Sequence, residues 1–235
     1  MTDPKAELLW RQFAEARMKE GNLNDHLDLP CVLAEVPVGL GLKALDLGCG
    51  LGQSSFMLAE KLGYDVVAVD ASVEMLAQAR KLYSGSKISW MESTFEALSV
   101  APDSVDLIVA CLSFHFVENL EGLLERCFSW LRRGGLLVFS VRHPIRTSNP
   151  AGLEGDVIWR VKDYFLEGPR EFEWLGVPCR NYHRTMGSYM RMLLRAGFNI
   201  NNLVEPSDDS SLSKLSAEGR SVPFFLTISC RKPSP

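Results

Sequence analysis

The chain has 235 residues, 46% of them hydrophobic, and a formal net charge of −4, so it is long enough to bury a sizeable core. Its 25 lysines and arginines are scattered rather than gathered into a basic stripe, which argues against a nucleic-acid partner. No apolar run reaches about 18 residues, so we expect no membrane span, and six cysteines without C-x-x-C spacing predict free thiols in a reducing, cytoplasmic compartment and no metal site.

The N-terminal region is predicted to be helical. Apolar residues at helical spacing indicate an amphipathic helix over residues 5–20. A second short helix is expected over residues 27–36, ending before Pro37. The first residues are polar and amphipathic, unlike a signal peptide.

The stretch from Leu45 to Gly52 predicts a strand, a glycine turn and a helix. It contains the pattern D-x-G-x-G-x-G, which begins at Asp46. The apolar strand 65–70 then ends in Asp70, and a carboxylate about 20 residues after such a turn can bind both hydroxyls of a ribose. Together these features predict the nucleoside-binding first unit of a parallel α/β sheet.

The spacing of the glycines bears on which nucleoside is bound. The dinucleotide fingerprint is G-x-G-x-x-G, and this chain has Gln53 at its third glycine position. Asp46 would repel a pyrophosphate, whereas it suits an ammonium group or a bound water. An NAD-dependent oxidoreductase is therefore disfavoured.

Helical and strand patterns alternate through the rest of the chain, which favours a parallel sheet with helices on both faces. Ser72 is expected to cap the helix that follows Asp70, and Gly134-Gly135 to end a helix whose last turn holds Arg132 and Arg133. The predicted helices are 53–62, 73–82, 119–132 and 185–196, and the predicted strands are 42–47, 65–70, 88–90, 106–111, 136–141, 198–204 and 222–230.

Residues 40–142 resemble the class I S-adenosylmethionine (SAM) dependent methyltransferases, specifically the small-molecule "type 11" group. The resemblance implies one domain over residues 1–235 with a Rossmann-like, seven-stranded, mostly parallel sheet. Residues 1–40 would form a helical cap over the cofactor, with Asn24 at the pocket entrance. The cofactor would be SAM, bound by Arg17, Asp46, Gly48, Cys49, Gly50, Gly52, Asp70, Ala71, Met75, Thr94, Phe95 and Cys111. Thr94 stands where the family usually has an aspartate, and its hydroxyl is a weaker acceptor for the adenine amino group.

Residues 142–184 follow the fifth predicted strand and show little periodicity. They contain several prolines and aromatic residues, and so long a connection inside a compact domain is usually functional. We interpret the segment as a lid for the methyl acceptor. The alternative is a structural insertion whose aromatic side chains form a satellite core.

Methyl transfer needs a donor and an acceptor held in line and, for some acceptors, a base. Four side chains near the expected acceptor are candidates: His115 after the fourth central strand, His143 after the fifth, and Tyr182 and His183 in the lid. Each histidine also has a structural interpretation as a hydrogen-bonded side chain. We expect a small-molecule acceptor and a monomer or homodimer.

Two other functions use the same cofactor site. A cyclase or lyase would release methylthioadenosine from SAM, and a non-catalytic module would only bind SAM or a nucleotide. A protein or nucleic-acid methyltransferase is disfavoured by the acidic pI of about 5.6 and by the sequence Cys-Leu-Ser-Phe where those enzymes carry an Asn/Asp-Pro-Pro-Tyr motif.

Overall fold

A computed structural model of the chain describes residues 23–149, 153–154, 158–174, 177–207 and 222–234. The predicted helix 5–20 and the candidate Arg17 lie outside these residues. The strands are β1 Lys43–Leu47, β2 Asp65–Asp70, β3 Ser89–Glu92, β4 Val105–Ala110, β5 Leu131–Arg142, β6 Leu153–Glu154, β7 Ile158–Trp159, β8 Gly168–Trp174, β9 Val177–His183, β10 Asn199–Val204 and β11 Phe225–Arg231. The α-helices are α1 Leu29–Ala34, α2 Gln53–Phe56, α3 Val73–Leu82, α4 Leu120–Trp130, α5 Pro144–Ser148 and α6 Met186–Ala196.

Seven of the strands form one sheet in the order β10-β11-β5-β4-β1-β2-β3. The neighbouring pairs β5–β4, β4–β1, β1–β2 and β2–β3 are parallel. Strand β11 runs antiparallel to both of its neighbours, β5 and β10. This confirms the predicted α/β class and the seven-stranded, mostly parallel sheet. The carboxyl ends of β1, β2, β4 and β5 therefore meet at one edge, where ligands bind in open α/β sheets.

Helices cover both faces of the sheet because successive side chains of the central strands point to opposite sides. Ile108 of β4 packs in the same cluster as Leu124 of α4 and Leu193 of α6. Its neighbour Val109 packs in a second cluster with Leu76 of α3. The unbroken apolar run of β4 is thus explained by burial on both faces.

The predicted boundary between α4 and β5 is wrong. The helix ends at Trp130 and the strand begins at Leu131, which is fully buried and pairs with Val105. Arg132 and Arg133 therefore lie in the strand rather than in the last helical turn. Arg132 binds both carboxylate oxygens of Asp106 at 2.8 Å, so pairing across the sheet outweighs the expected interaction with the helix dipole.

The segment after β5 has more regular structure than its weak periodicity suggests. The short helix α5 is followed by two antiparallel hairpins, β6–β7 and β8–β9. Strand β9 packs against α5 and against a 3₁₀ turn at Phe114–Phe116, which follows β4. The β8–β9 hairpin thus lies over the carboxyl edge of the sheet, and the role of residues 142–184 as a lid stays a prediction.

Candidate cofactor-binding site

The glycine turn after β1 folds back over the end of β2. The backbone N–H groups of Gly48 and Cys49 both donate to the Val69 carbonyl, at 2.8 and 3.0 Å. Gly50 has a φ of +54°, and a Cβ placed on it would meet no atom within 4 Å. A side chain at this position would be strained and would project into open space beside the turn.

Gly52 has a different reason to be glycine. It is the N-cap of α2 with a φ of +83°, and a Cβ there would lie 2.4 Å from Cη2 of Trp90. Gly52 is one of the predicted cofactor-binding residues. It packs against Trp90 and is not among the residues that line the cavity described below.

Asp70 ends β2 beside this turn. Its Oδ2 accepts from the Gly50 N–H at 2.8 Å and its Oδ1 accepts from the Ser72 N–H at 2.9 Å. Burial raises the pKa of Asp70, and these backbone donors oppose that shift. Each carboxylate oxygen can accept more than one hydrogen bond, so Asp70 retains acceptor capacity toward a ligand.

Asp46 lies behind the turn and is fully buried. Its Oδ2 accepts from the hydroxyls of Ser54 and Ser55, both at 2.6 Å. Within the described part of the chain, Oδ1 has no hydrogen-bond partner. Burial raises the pKa of Asp46 to about 6, so an additional donor or a cation would stabilise its charged form.

A cavity of about 320 Å³ opens at this edge of the sheet. Nine of the predicted cofactor-binding residues line it: Gly48, Cys49, Gly50, Asp70, Ala71, Met75, Thr94, Phe95 and Cys111. Asp46 and Gly52 are not among the lining residues. Lining residues that the motif did not single out include Asp28, Gln53, Glu96, Leu112, Ser113 and Phe116, while Asn24 was already a candidate.

Asp28 is a lining residue that sequence reasoning missed. It is 1% exposed and accepts from the Ser140 hydroxyl at 2.9 Å. The Ser140 Oγ in turn accepts from the backbone N–H of Leu112, a residue with a φ of +50°. No local pattern marks Asp28, because its partner lies 112 residues further along the chain.

Three of the four predicted catalytic side chains are held by protein contacts. Nδ1 of His143 accepts from the Ile145 N–H, so its Nε2 donates to Glu205 at 2.8 Å. Nε2 of His183 donates to the Tyr164 carbonyl at 2.8 Å, while its Nδ1 faces the Thr147 hydroxyl. Tyr182, next to His183, lies on the opposite face of β9, 5.7 Å from the Arg184 guanidinium. Burial lowers the pKa of both histidines, and none of the three side chains lines the cavity.

His115 is in a different situation. It is 2% exposed and does not line the cavity, but its ring lies 4.3 Å from that of Phe116, which does. Burial, together with the positive charges of Arg142 and Arg184, lowers the pKa of His115 to about 3. The imidazole is therefore neutral at physiological pH.

Other features of the described residues bear on cofactor class. None of the six cysteines forms a disulfide within the described residues. No group of three or more His, Cys, Asp or Glu side chains in the described ranges is placed to hold a metal ion. No helix among these residues is long and apolar enough to cross a membrane.

The sheet order, the glycine turn and Asp70 define a nucleoside-binding α/β protein, and comparison with known proteins identifies its family. A profile described as a methyltransferase domain matches residues 45–139. The crystal structure of an S-adenosylmethionine-dependent methyltransferase from Mesorhizobium loti is 34% identical, with a TM-score of 0.77, and the match covers 86% of this chain and 96% of that one. A Haemophilus influenzae protein is 32% identical over 208 residues, covering 83% of this chain and 82% of its own.

A third relative matches over a shorter range. Trans-aconitate 2-methyltransferase from an Azoarcus species is 35% identical over 111 residues, and the match covers 47% of this chain and 43% of that enzyme. The present chain therefore spans less than half of that relative. Taken with the Mesorhizobium match, these findings show that the chain belongs to the S-adenosylmethionine-dependent methyltransferases.

The residues at the cavity fit SAM. A cavity of about 320 Å³ lies within the usual range for small-ligand sites. The acceptor capacity that Asp70 retains and the open space beside Gly50 are the features expected where a nucleoside-containing ligand approaches a backbone turn. The predicted cofactor is thus consistent with the donors and acceptors present.

Proposed function

We propose that this chain transfers the methyl group of SAM to a small-molecule acceptor at the carboxyl edge of the sheet. The observation that carries the proposal is the carboxylate of Asp70, bonded to the Gly50 N–H and lining the cavity. When bound, SAM supplies an electrophilic methyl group on a sulfonium. The residues of the chain bind, orient and shield it.

In this proposal, different residues bind different parts of the cofactor. Asp70 accepts the ribose hydroxyls with its remaining lone pairs. Met75 and Phe95 supply apolar surface for the adenine, and the Thr94 hydroxyl, which already accepts from the Ala97 N–H at 3.2 Å, contributes at most a weak bond. Asp46 is buried behind the turn, so its carboxylate acts on the ammonium group through its charge or by way of a water. Gly48, Cys49, Ala71 and Cys111 complete the wall, with Asn24 at the entrance.

Several observations support a small-molecule acceptor. The Azoarcus relative is named for its action on trans-aconitate, which is such a molecule. The net charge of −4 disfavours nucleic acid. We also propose that residues 1–235 form one domain, that the β8–β9 hairpin acts as a lid over the acceptor, and that the free thiols reflect a cytoplasmic location.

Ligand-dependent stability tests the cofactor assignment. At about 100 times its Kd, a ligand that binds only the folded protein adds roughly 2.7 kcal/mol to the free energy of unfolding. We expect SAM and S-adenosylhomocysteine to raise the melting temperature, and NAD at the same concentration to leave it unchanged. Stabilisation by NAD without stabilisation by SAM would overturn the proposal.

A further inference from the structure

Two buried polar side chains where the β8–β9 hairpin packs on the sheet edge, His115 and Asn181, have hydrogen-bonding groups that no described residue satisfies. Nδ1 of His115 is buried without a partner, and so are both the oxygen and the nitrogen of the Asn181 amide. Asn181 is fully buried and His115 is 2% exposed. Arg142 is half-buried nearby, and its guanidinium lies over the Phe172 ring at 5.3 Å.

These side chains converge from three elements. His115 belongs to the 3₁₀ turn after β4, Arg142 ends β5, and Asn181 lies in β9, which packs against that turn. Side chains alternate along β9, so Asn181 shares its buried face with Cys179, and Cys179 pairs with Phe172, the residue under Arg142. The field of Arg142 also acts on the His115 imidazole.

Neighbouring polar groups in the same region are fully engaged. The Arg184 guanidinium donates to the carbonyls of Val117 and Glu118 at 2.6 and 2.7 Å. His143 and His183 each have partners on both ring nitrogens. Because buried polar groups in proteins are nearly always bonded, an unbonded group set among satisfied ones calls for an explanation, and a ligand is one.

The His115 side chain adjoins the cofactor cavity. Phe116 lines that cavity and its ring packs against His115, so the two sites share this side chain as a wall. A methyl acceptor must lie beside the methyl donor, and this position at the ends of β4 and β5 meets that requirement.

We propose that Arg142, Asn181 and His115 recognise an acceptor that carries a carboxylate and, beside it, a hydroxyl or amine donor. A guanidinium binds a carboxylate through two parallel N–H groups. The amide of Asn181 donates to the acid and accepts from the neighbouring donor, and since both ends are unpartnered this holds for either orientation of the amide. The inference rests on the proposed function, because it assigns the acceptor class of the same enzyme.

Binding of small acids to the protein saturated with S-adenosylhomocysteine tests the inference. The probes are a panel of mono-, di- and tricarboxylic acids with and without a hydroxyl group, their neutral amides, and inorganic phosphate. We expect at least one acid to raise the melting temperature and to give a measurable Kd by calorimetry, and its amide to do neither. Failure of every acid, or stabilisation by phosphate alone, would overturn the inference.

Variants locate the binding. Asn181→Leu replaces the unbonded amide by an apolar group of similar size, so the fold should be at least as stable while acid affinity falls tenfold or more. Arg142→Met should lower the acid affinity by a similar factor. Arg180→Met is the matched control, since Arg180 lies on the outer face of β9 and pairs with Glu171. Unchanged acid affinity in a folded Asn181→Leu protein would contradict the assignment.

The experiment separates a failure of the proposed function from a failure of the carboxylate assignment. If S-adenosylhomocysteine itself does not bind, the proposed function fails. If it binds with equal affinity to all variants and no acid binds to the complex, the enzyme class stands and the carboxylate assignment is wrong.

Discussion

The carboxylate of Asp70 accepts a hydrogen bond from the backbone N–H of Gly50, with 2.8 Å between Oδ2 and the nitrogen. This bond joins the end of β2 to the turn that follows β1. The other carboxylate oxygen of Asp70, Oδ1, accepts a hydrogen bond from the Ser72 N–H at the start of α3. Asp70 therefore shapes the turn besides facing the cavity, and truncation to alanine would disturb both.

The conservative variant Asp70→Asn disturbs the turn less than alanine does, because its amide oxygen keeps one of the two backbone hydrogen bonds. It keeps one acceptor oxygen but loses the charge and the second acceptor. Charge-assisted hydrogen bonds contribute about 1.5–3 kcal/mol, so we expect SAM affinity to fall roughly 10- to 150-fold in calorimetry. Asp65→Asn is the control, because Asp65 is exposed at the other end of β2. Equal SAM affinity in both variants would show that the ribose binds elsewhere.

A methyl group at position 50 should block the cofactor. Gly50→Ala places a side chain at a φ of +54° in open space beside the cavity. The left-handed backbone costs about 1–2 kcal/mol for an L-residue, and the methyl group adds a steric block to SAM.

Gly41→Ala is the matched control for this variant. Gly41 has a φ of +71° with no atom near its Cβ position, and it does not line the cavity. Both variants should lose similar stability by denaturant titration, whereas only Gly50→Ala should lose SAM binding. A Gly50→Ala protein that binds SAM as the native chain does would contradict the placement of the cofactor.

Asp46 should make stability depend on pH. Burial raises the pKa of its carboxyl from an ordinary 3.8 to about 6, so the folded protein holds this proton more tightly than the unfolded chain. The contribution of Asp46 to stability therefore falls as the pH rises from about 4 to about 6, by on the order of 3 kcal/mol.

The variant Asp46→Asn removes this titration. Its free energy of unfolding should exceed that of the native chain by a margin that grows from pH 4 to pH 6 and then levels off, measured by denaturant titration at each pH. A margin that is constant with pH would show that Asp46 does not titrate in this range. SAM affinity should fall in the same variant, since the carboxylate charge is lost.

His115 should not titrate near neutral pH. Burial and two nearby arginines lower its pKa to about 3, whereas a free histidine has a pKa near 6.5. The imidazole resonances of His115, assigned by comparison with His115→Asn, should stay fixed between pH 5 and 8 in NMR spectra. A titration midpoint near 6.5 would restore His115 as a candidate base. The expected result favours a role in binding the acceptor.

The fold was predictable because its signals are local. The alternation of apolar runs and helical patterns along the chain predicted the parallel sheet. The residues Ser72, Thr185 and Gly197 cap their helices as expected. The boundary at Leu131 was not predictable, since it depends on pairing with Val105 in a separate strand.

Some residues of the candidate site were likewise predictable from local sequence, whereas others were not. The turn and Asp70 follow one another within a short stretch of sequence, so their proximity could be inferred from one βαβ unit. Asp28 and Asn181 reach the carboxyl edge only through tertiary packing, and neither belongs to a motif. The histidines show the converse, because their residue type suggested catalysis and only the fold shows that His143 and His183 are engaged by Glu205 and Tyr164.

The product formed from SAM tests the central claim most directly. The protein is incubated with SAM carrying an isotopically labelled methyl group and a fraction of small metabolites, and the products are identified by mass spectrometry. We predict S-adenosylhomocysteine together with one labelled small molecule in equal amount, and neither product with Gly50→Ala. Release of methylthioadenosine, or no consumption of SAM in the presence of any acceptor fraction, would contradict the account.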